Sequence, residues 1–212
     1  MPPRIDLFVT APLETNTYLL RGGGEWWVVD PAMDLEGLLS VMDRGGVSPS
    51  RILLTHGHGD HIAGVMELKV AFPAVSVCCP AADADMLTDP HKNLSAAFGL
   101  EILAPPADCL LRPGDAIAMG EWTWQVLDTS GHTQGGVSYY CPRAEVVLTG
   151  DALFAGGIGR TDIPGGDERS LLDNIRRNLL ALPDSTRVLP GHGPESTIGR
   201  ERRENPFLAN SR

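Results

Sequence analysis

The chain reads as a layered α/β fold, and three observations predict it. Short apolar runs of strand character recur along the whole sequence, and segments with helical spacing fall between them. Four of the apolar runs also lead into a polar side chain able to bind a metal. They are Ile52-Leu53-Leu54 before His56, Val126-Leu127 before His132, Val146-Val147-Leu148 before Asp151, and Val188-Leu189 before His192. In layered α/β folds, rigid strands aim loop residues at a point beyond their ends. Four such endings predict one shared site.

The elements follow in order. Strands are expected over 5–9, 16–21 and 25–29, the last two forming a hairpin through Gly22-Gly23-Gly24, which supplies the positive φ values such a turn needs. Asp34 is expected to start a helix carrying Leu35, Leu38, Leu39 and Met42 at helical spacing, stopped by Gly45-Gly46. A short apolar run over 51–55 precedes a histidine cluster, and a helix is expected over 62–71, broken by Pro73. Residues 80–99 hold short helical pieces interrupted at Asp89-Pro90. From Cys109 the β character returns, with strands at 122–127 and 137–140. The strongest helical pattern covers 168–182, with Leu171, Leu172, Ile175, Leu179 and Leu180 on its apolar side and Pro183 at its end.

Composition narrows the function classes. The 212 residues are 42% hydrophobic and 21% charged, a globular balance expected to fold as one domain over 1–212. With 17 Lys+Arg against 27 Asp+Glu, the net charge of −10 argues against nucleic acid, including RNA processing, and against an anionic membrane surface. No apolar run approaches the ~20 residues of a membrane span. The opening Met1-Pro2-Pro3-Arg4-Ile5-Asp6 lacks the apolar core of a signal peptide. Cys78, Cys79, Cys109 and Cys141 form no C-x-x-C pair and read as small buried hydrophobes in a reducing cytoplasm.

The chemistry concentrates in Thr55-His56-Gly57-His58-Gly59-Asp60-His61, where four side chains able to coordinate metal lie in a glycine-broken loop. Imidazole and carboxylate together suit zinc, iron or manganese, whereas calcium and magnesium prefer oxygen alone. A catalytic zinc needs about three protein ligands and an open position. Adding Gly131-His132, Gly150-Asp151 and Gly191-His192 gives seven candidates, too many for one ion, so two divalent ions are expected. His91, outside this set, reads as a polar surface residue.

These motifs together resemble the metallo-β-lactamase superfamily, and within it the glyoxalase II-like (hydroxyacylglutathione hydrolase) thioesterases of the short, single-domain bacterial type. The matching elements are Val29-Asp30-Pro31, the 55–61 motif, Ser130-Gly131-His132-Thr133, Thr149-Gly150-Asp151, the segment 156–162 and Pro190-Gly191-His192-Gly193-Pro194, with Asn205-Pro206-Phe207-Leu208 near the end. The resemblance implies a four-layer αβ/βα sandwich. By position it implies that His56, His58 and His132 hold one metal, that Asp60, His61 and His192 hold the second, and that Asp151 bridges both. Asp30 is a candidate for orienting a ligand imidazole, and equally a turn residue before Pro31.

Two such ions, zinc or alternatively iron or manganese, would lower the pKa of a shared water toward roughly 7. The implied reaction is attack of metal-bound hydroxide on a thioester, with Asp60 guiding the proton as a second role. A thiolate of pKa near ~8.5 leaves without strong acid help, which favours a thioester over an amide. The family substrate is S-lactoylglutathione, cleaved to D-lactate and glutathione. No counterpart is expected of the C-terminal helical extension that grips glutathione in longer relatives. Arg160 is a candidate for pairing a glutathione carboxylate, or for a structural ion pair with Asp162 or Asp167. The expected partner is a small-molecule thioester, and the expected state a monomer or homodimer. The principal alternative is a persulfide dioxygenase on the same fold, with one iron on two histidines and an aspartate. Behind it stand β-lactamase, lactonase, phosphodiesterase and a non-enzymatic metal-binding module.

Overall fold

A computed structural model of the chain describes residues 2–208. Two six-stranded sheets face each other. The first contains β1 (Arg4–Thr10), β2 (Thr15–Gly22), β3 (Glu25–Val29), β4 (Arg51–Leu53), β5 (Ser76–Pro80) and β6 (Cys109–Leu111), adjacent in that order. The second contains β7 (Ala116–Met119), β8 (Trp122–Asp128), β9 (Val137–Cys141), β10 (Val146–Gly150), β13 (Arg187–Pro190) and β14 (Ser196–Thr197), ordered β14-β13-β10-β9-β8-β7. A small hairpin of β11 (Leu153–Phe154) and β12 (Gly157–Ile158) stands apart.

Period-two alternation explains the layers. In β2 and β3, Tyr18, Leu20, Trp27 and Val29 point toward the second sheet, where Trp124, Val126, Tyr139, Val146 and Leu148 meet them in a buried inter-sheet core. Their neighbours Leu19 and Val28 point the other way, beneath helices α1 (Glu36–Gly45), α2 (Gly59–Ile62) and α3 (Val65–Ala71). On the far side of the second sheet, Tyr140, Val147 and Val188 are covered by α4 (Glu168–Asn174) and α5 (Ile198–Glu204). The result is the expected four-layer αβ/βα sandwich. Among the described residues, no helix is long and apolar enough to cross a membrane.

Local chemistry sets the boundaries. The β2–β3 hairpin pairs Gly22 with Glu25, leaving Gly23 and Gly24 at φ 58° and 81° as the two-residue turn. Asp34 does not enter α1. It sits at φ 58° and accepts the Glu36 N–H at 3.3 Å, so the helix begins after it. The single helix expected over 62–71 is divided. The Gly64 N–H donates to Pro31 O at 2.8 Å, and a Cβ at Gly64 would stand 2.6 Å from Ala32 O. Close packing of chain against chain therefore interrupts the ladder between α2 and α3. Past α4 the last expected helix continues as a wider π turn over Ile175–Leu179, with Leu180 N bonded to Ile175 O. The sequence expectations omitted β5, an apolar run buried on both faces, and α5, whose Thr197 hydroxyl accepts the Arg200 N–H at its start.

Candidate metal centre

Four strands of the two sheets end at the same edge. β4 leads into the 55–61 motif, β8 into the loop bearing His132, β10 into Asp151 and β13 into His192. Two bonds between the sheets bind these ends together. The Tyr139 hydroxyl of β9 donates to Leu54 O at 2.6 Å, and the Tyr18 hydroxyl of β2 to Pro190 O at 2.7 Å. A register shift between Leu148 and Gly150, where β10 pairs with β13, turns the chain as it delivers Asp151. The adjacent glycines are required by approach distance. A Cβ on Gly191 would lie 2.2 Å from Asp151 Oδ1 and 2.7 Å from His61 Cε1, and one on Gly150 would lie 2.2 Å from Thr55 Oγ1.

All seven residues singled out in the sequence come together here. His56, His58 and His132 offer donor atoms within 4.8 Å of one another, as do Asp60, His61 and His192, and a further trio joins His56 and His61 to Asp151. His58 Nδ1 lies 2.9 Å from His132 Nε2. His61 Nε2 lies 3.3 Å from His192 Nε2 and 3.5 Å from Asp60 Oδ2. Asp151 reaches both groups, with Oδ1 3.3 Å from His61 Nε2 and Oδ2 3.5 Å from His192 Nε2 and 3.6 Å from His132 Nε2. Donors about 2.0–2.1 Å from a tetrahedral ion stand about 3.3 Å apart, so these separations fit divalent metal. The buried His56 Nε2 has no hydrogen-bond partner within the protein, and Asp151 Oδ1 faces only the His61 imidazole at 3.3 Å. Burying such atoms unpaired is costly, and a cation resolves it.

The outer Nδ1 atoms of His61, His132 and His192 are held by polar partners of the kind that orient ligating histidines, whereas the outer Nε2 of His58 has no hydrogen-bond partner. Asp30 Oδ2 is 3.1 Å from His61 Nδ1, and Asp30 also accepts the Thr55 N–H at 2.7 Å and the Thr55 hydroxyl at 2.6 Å. His132 Nδ1 is 2.7 Å from Arg160 O, and His192 Nδ1 is 3.0 Å from Leu13 O. The Arg160 side chain is occupied elsewhere, bound through Nε and Nη2 to both carboxylate oxygens of Asp162.

Electrostatics of the metal-free chain follow from this crowding. Burial, reinforced by repulsion from neighbouring imidazoles, pushes His56 well down, and burial with the nearby His132 pushes His58 down to about 3. Burial also disfavours a charged His61, but Asp60 and Asp151 outweigh it and hold that imidazole well above its usual range. Burial likewise opposes the Asp60 and Asp151 carboxylates, yet the facing His61 and His192 keep both below the ordinary carboxylate range.

Asp83 escaped the sequence expectations. Its buried carboxylate accepts the Gly57 N–H at 3.1 Å, the Thr133 hydroxyl at 2.6 Å and the Gly135 N–H at 2.7 Å. It thereby clamps the His56–His58 loop to the His132 loop. No local pattern marks a carboxylate whose partners lie 26, 50 and 52 residues away.

Comparison with known proteins agrees with this geometry. Residues 10–192 match the family model described as metallo-beta-lactamase superfamily. The probable metallo-hydrolase YqgX of Bacillus subtilis is 38% identical, with 93% of each chain covered. The hydroxyacylglutathione hydrolase GloC of Haemophilus influenzae is 35% identical, covering 85% of this chain and 86% of that protein. Among solved structures, BLEG-1 B3 metallo-beta-lactamase superposes with a TM-score of 0.92 at 38% identity, over 98% of this chain and 100% of that one. TTHA1623 in a di-iron-bound form gives 0.85 at 38%, over 96% and 100%. ETHE1 from Myxococcus xanthus gives 0.82 at 28%, over 99% and 86%. With two sheets between helix layers and seven clustered donors at their common edge, the chain belongs to the metallo-beta-lactamase superfamily.

Proposed function

We propose that this superfamily member is a metal-dependent thioester hydrolase of the glyoxalase II-like (hydroxyacylglutathione hydrolase) group. The observation that carries the proposal is the pair of adjacent donor groups with Asp151 in contact with both. His56, His58 and His132 would hold one ion and Asp60, His61 and His192 the other, with Asp151 between them. Zinc suits this set, and the same donors accept iron or manganese. Two such ions, when bound, supply Lewis acidity to a carbonyl and lower the pKa of water toward about 7.

The chain's own residues do the rest. The Thr15 hydroxyl, 3.2 Å from Asp60 Oδ2, holds that carboxylate at the edge of the cavity beside the centre, where it can take a proton from the attacking water. The reaction adds water across the C–S bond. A C–O bond forms, the C–S electron pair leaves on sulfur, and the products are a carboxylic acid and a thiol. A thiolate of pKa near ~8.5 leaves unaided, and no separate acid is needed. The partner is a small-molecule thioester, which a monomer or homodimer can serve.

The sequence resemblance leaves a second chemistry in view, a persulfide dioxygenase using one iron, and ETHE1 shares this fold over 99% of the chain. Such an enzyme has no use for a second donor group, and the Asp60–His61–His192 cluster supports hydrolysis over it. The deciding experiment measures metal content and S-lactoylglutathione turnover together. About two ions per chain and release of D-lactate and glutathione, lost in His58→Ala without unfolding, are expected. About one iron per chain with persulfide-dependent oxygen uptake would overturn the proposal.

A further inference from the structure

A cavity of about 260 Å³ opens onto His58, Asp60, His132 and Asp151. Its other walls are largely apolar, with Leu13, Met33, Phe98, Leu100, Ile102 and Ile163 converging from separate segments. Leu13, Phe98 and Leu100 are 50%, 69% and 40% exposed, so this apolar surface awaits a ligand rather than filling the core. Asn93 and Ser95 on the same walls are already engaged. Asn93 donates to Met86 O and Ile102 O and accepts the Ser95 N–H, while Ser95 Oγ accepts the Ile102 N–H. Thr10 Oγ1 has no partner but is itself covered.

The charge inventory points the same way. Glutathione carries two carboxylates and an ammonium, and a site that reads it needs cations free to pair with the carboxylates. Among the described residues the only Lys or Arg lining the cavity is Arg160, whose guanidinium is joined by two hydrogen bonds to Asp162. A carboxylate placed against these walls, away from the donor groups, would find no free side-chain cation to pair with. An apolar, uncharged group loses nothing on entering and gains by leaving water.

We infer that the cavity selects the apolar acyl group of an acyl thioester, and that Met33, Phe98 and Leu100 set this selectivity while the thiol portion goes largely unread. The inference rests on the thioester hydrolase proposal for its chemistry, though not for the binding preference itself. In that role the apolar wall holds the acyl chain while its carbonyl stands at the donor groups. Asn93 O, bonded to the Gly59 N–H at 2.8 Å, fixes the wall against the segment that carries Asp60.

The test crosses two acyl groups with two thiols in the metal-loaded protein: acetyl and hexanoyl, each on glutathione and on N-acetylcysteamine. The expected rise in kcat/KM from acetyl to hexanoyl is about 250-fold with either thiol, about fourfold for each of the four added methylenes. The choice of thiol should matter far less. Met33→Ser and Phe98→Ser should each reduce the hexanoyl-to-acetyl ratio, with melting curves confirming intact fold. In parallel, calorimetry measures binding of the non-hydrolysable N-acetyl-S-hexylcysteamine and its S-methyl counterpart, the hexyl form being expected to bind at least about tenfold more tightly. Flat rates across acyl length, or a glutathione preference lost in Arg160→Ala, would overturn the inference. Tight hexyl binding without turnover of any thioester would sustain the cavity assignment and refute the hydrolase proposal. Equal binding of hexyl and methyl forms would refute the assignment whatever the rates.

Discussion

Asp30→Asn isolates one part of the centre from the rest of the fold. Asp30 sits at φ 49°, a left-handed conformation that asparagine tolerates nearly as well as aspartate, so the backbone is not perturbed. The native carboxylate accepts three hydrogen bonds, two from Thr55 and one from His61 Nδ1. An asparagine can keep both Thr55 contacts by presenting its oxygen to the Thr55 N–H and its NH₂ to the hydroxyl. That orientation turns a donor toward His61 Nδ1, which itself carries a proton whenever Nε2 binds metal. One buried, charge-assisted hydrogen bond is lost, worth roughly 1.5–3 kcal/mol. A loss of about 2 kcal/mol lowers Tm by about 4–8 °C in a chain of this size. Affinity for the ion on His61 should fall about 10–100-fold. A chelator-competition titration resolves the two ions, and thermal melting of the metal-free protein gives the stability change. If both ions bind as in the wild type and Tm is unchanged, Asp30 is not what orients His61.

Three further outcomes follow from the same geometry. Asp83→Ala strands the Gly57, Thr133 and Gly135 donors in a buried site, and urea titration should show a loss of at least about 3 kcal/mol, with metal retention falling in step. Gly191→Ala drives a methyl group into Asp151 and His61, and metal analysis should show at least one ion lost while far-UV circular dichroism stays native. For the metal-free protein, His56 and His58 have folded pKa values below the ordinary 6.5, that of His58 about 3. The unfolded chain therefore takes up protons first as pH falls, and each group costs up to about 1.4 kcal/mol per pH unit over its window. His61 is protonated in both states below pH 6.5, so its stabilising contribution is fully present there and adds no pH dependence, being lost only as pH rises through its elevated folded value. Asp60 and Asp151, with depressed folded values, lose theirs only below the ordinary carboxylate range near 3.8. Melting temperature should thus drop between pH 6.5 and 4, with a shallower drop in His58→Gln; a flat profile would contradict this account.

The ligand-like residues were legible because each follows a strand, and strand ends are the most local signal a layered fold offers. His56, Asp151 and His192 could be placed by counting from Leu54, Leu148 and Leu189. Other features were written in contacts between distant segments. The break at Gly64 depends on Pro31 and Ala32 crossing it, and Asp83 gains its role from three loops no local pattern connects. β5 was missed because a strand buried on both faces lacks alternation. The apolar wall over 93–102 has no period at all. Its character emerges only when Asn93 and Ser95 fold their polar atoms inward and leave Phe98 and Leu100 outside.

The placement of the donors also bears on how the protein is made. His56, His58, Asp60 and His61 come from the first sheet's half of the chain, whereas His132, Asp151 and His192 come from the second. On the proposed two-ion reading, neither position could be completed by the half that is synthesised first, and His192 would reach the centre only after β13 has joined its sheet. A nascent chain would offer incoming metal a partial ligand set until almost everything has emerged and the sheets have closed. Full metal loading would then serve as a signature of correct assembly, and the bound ions would link the two halves of the chain.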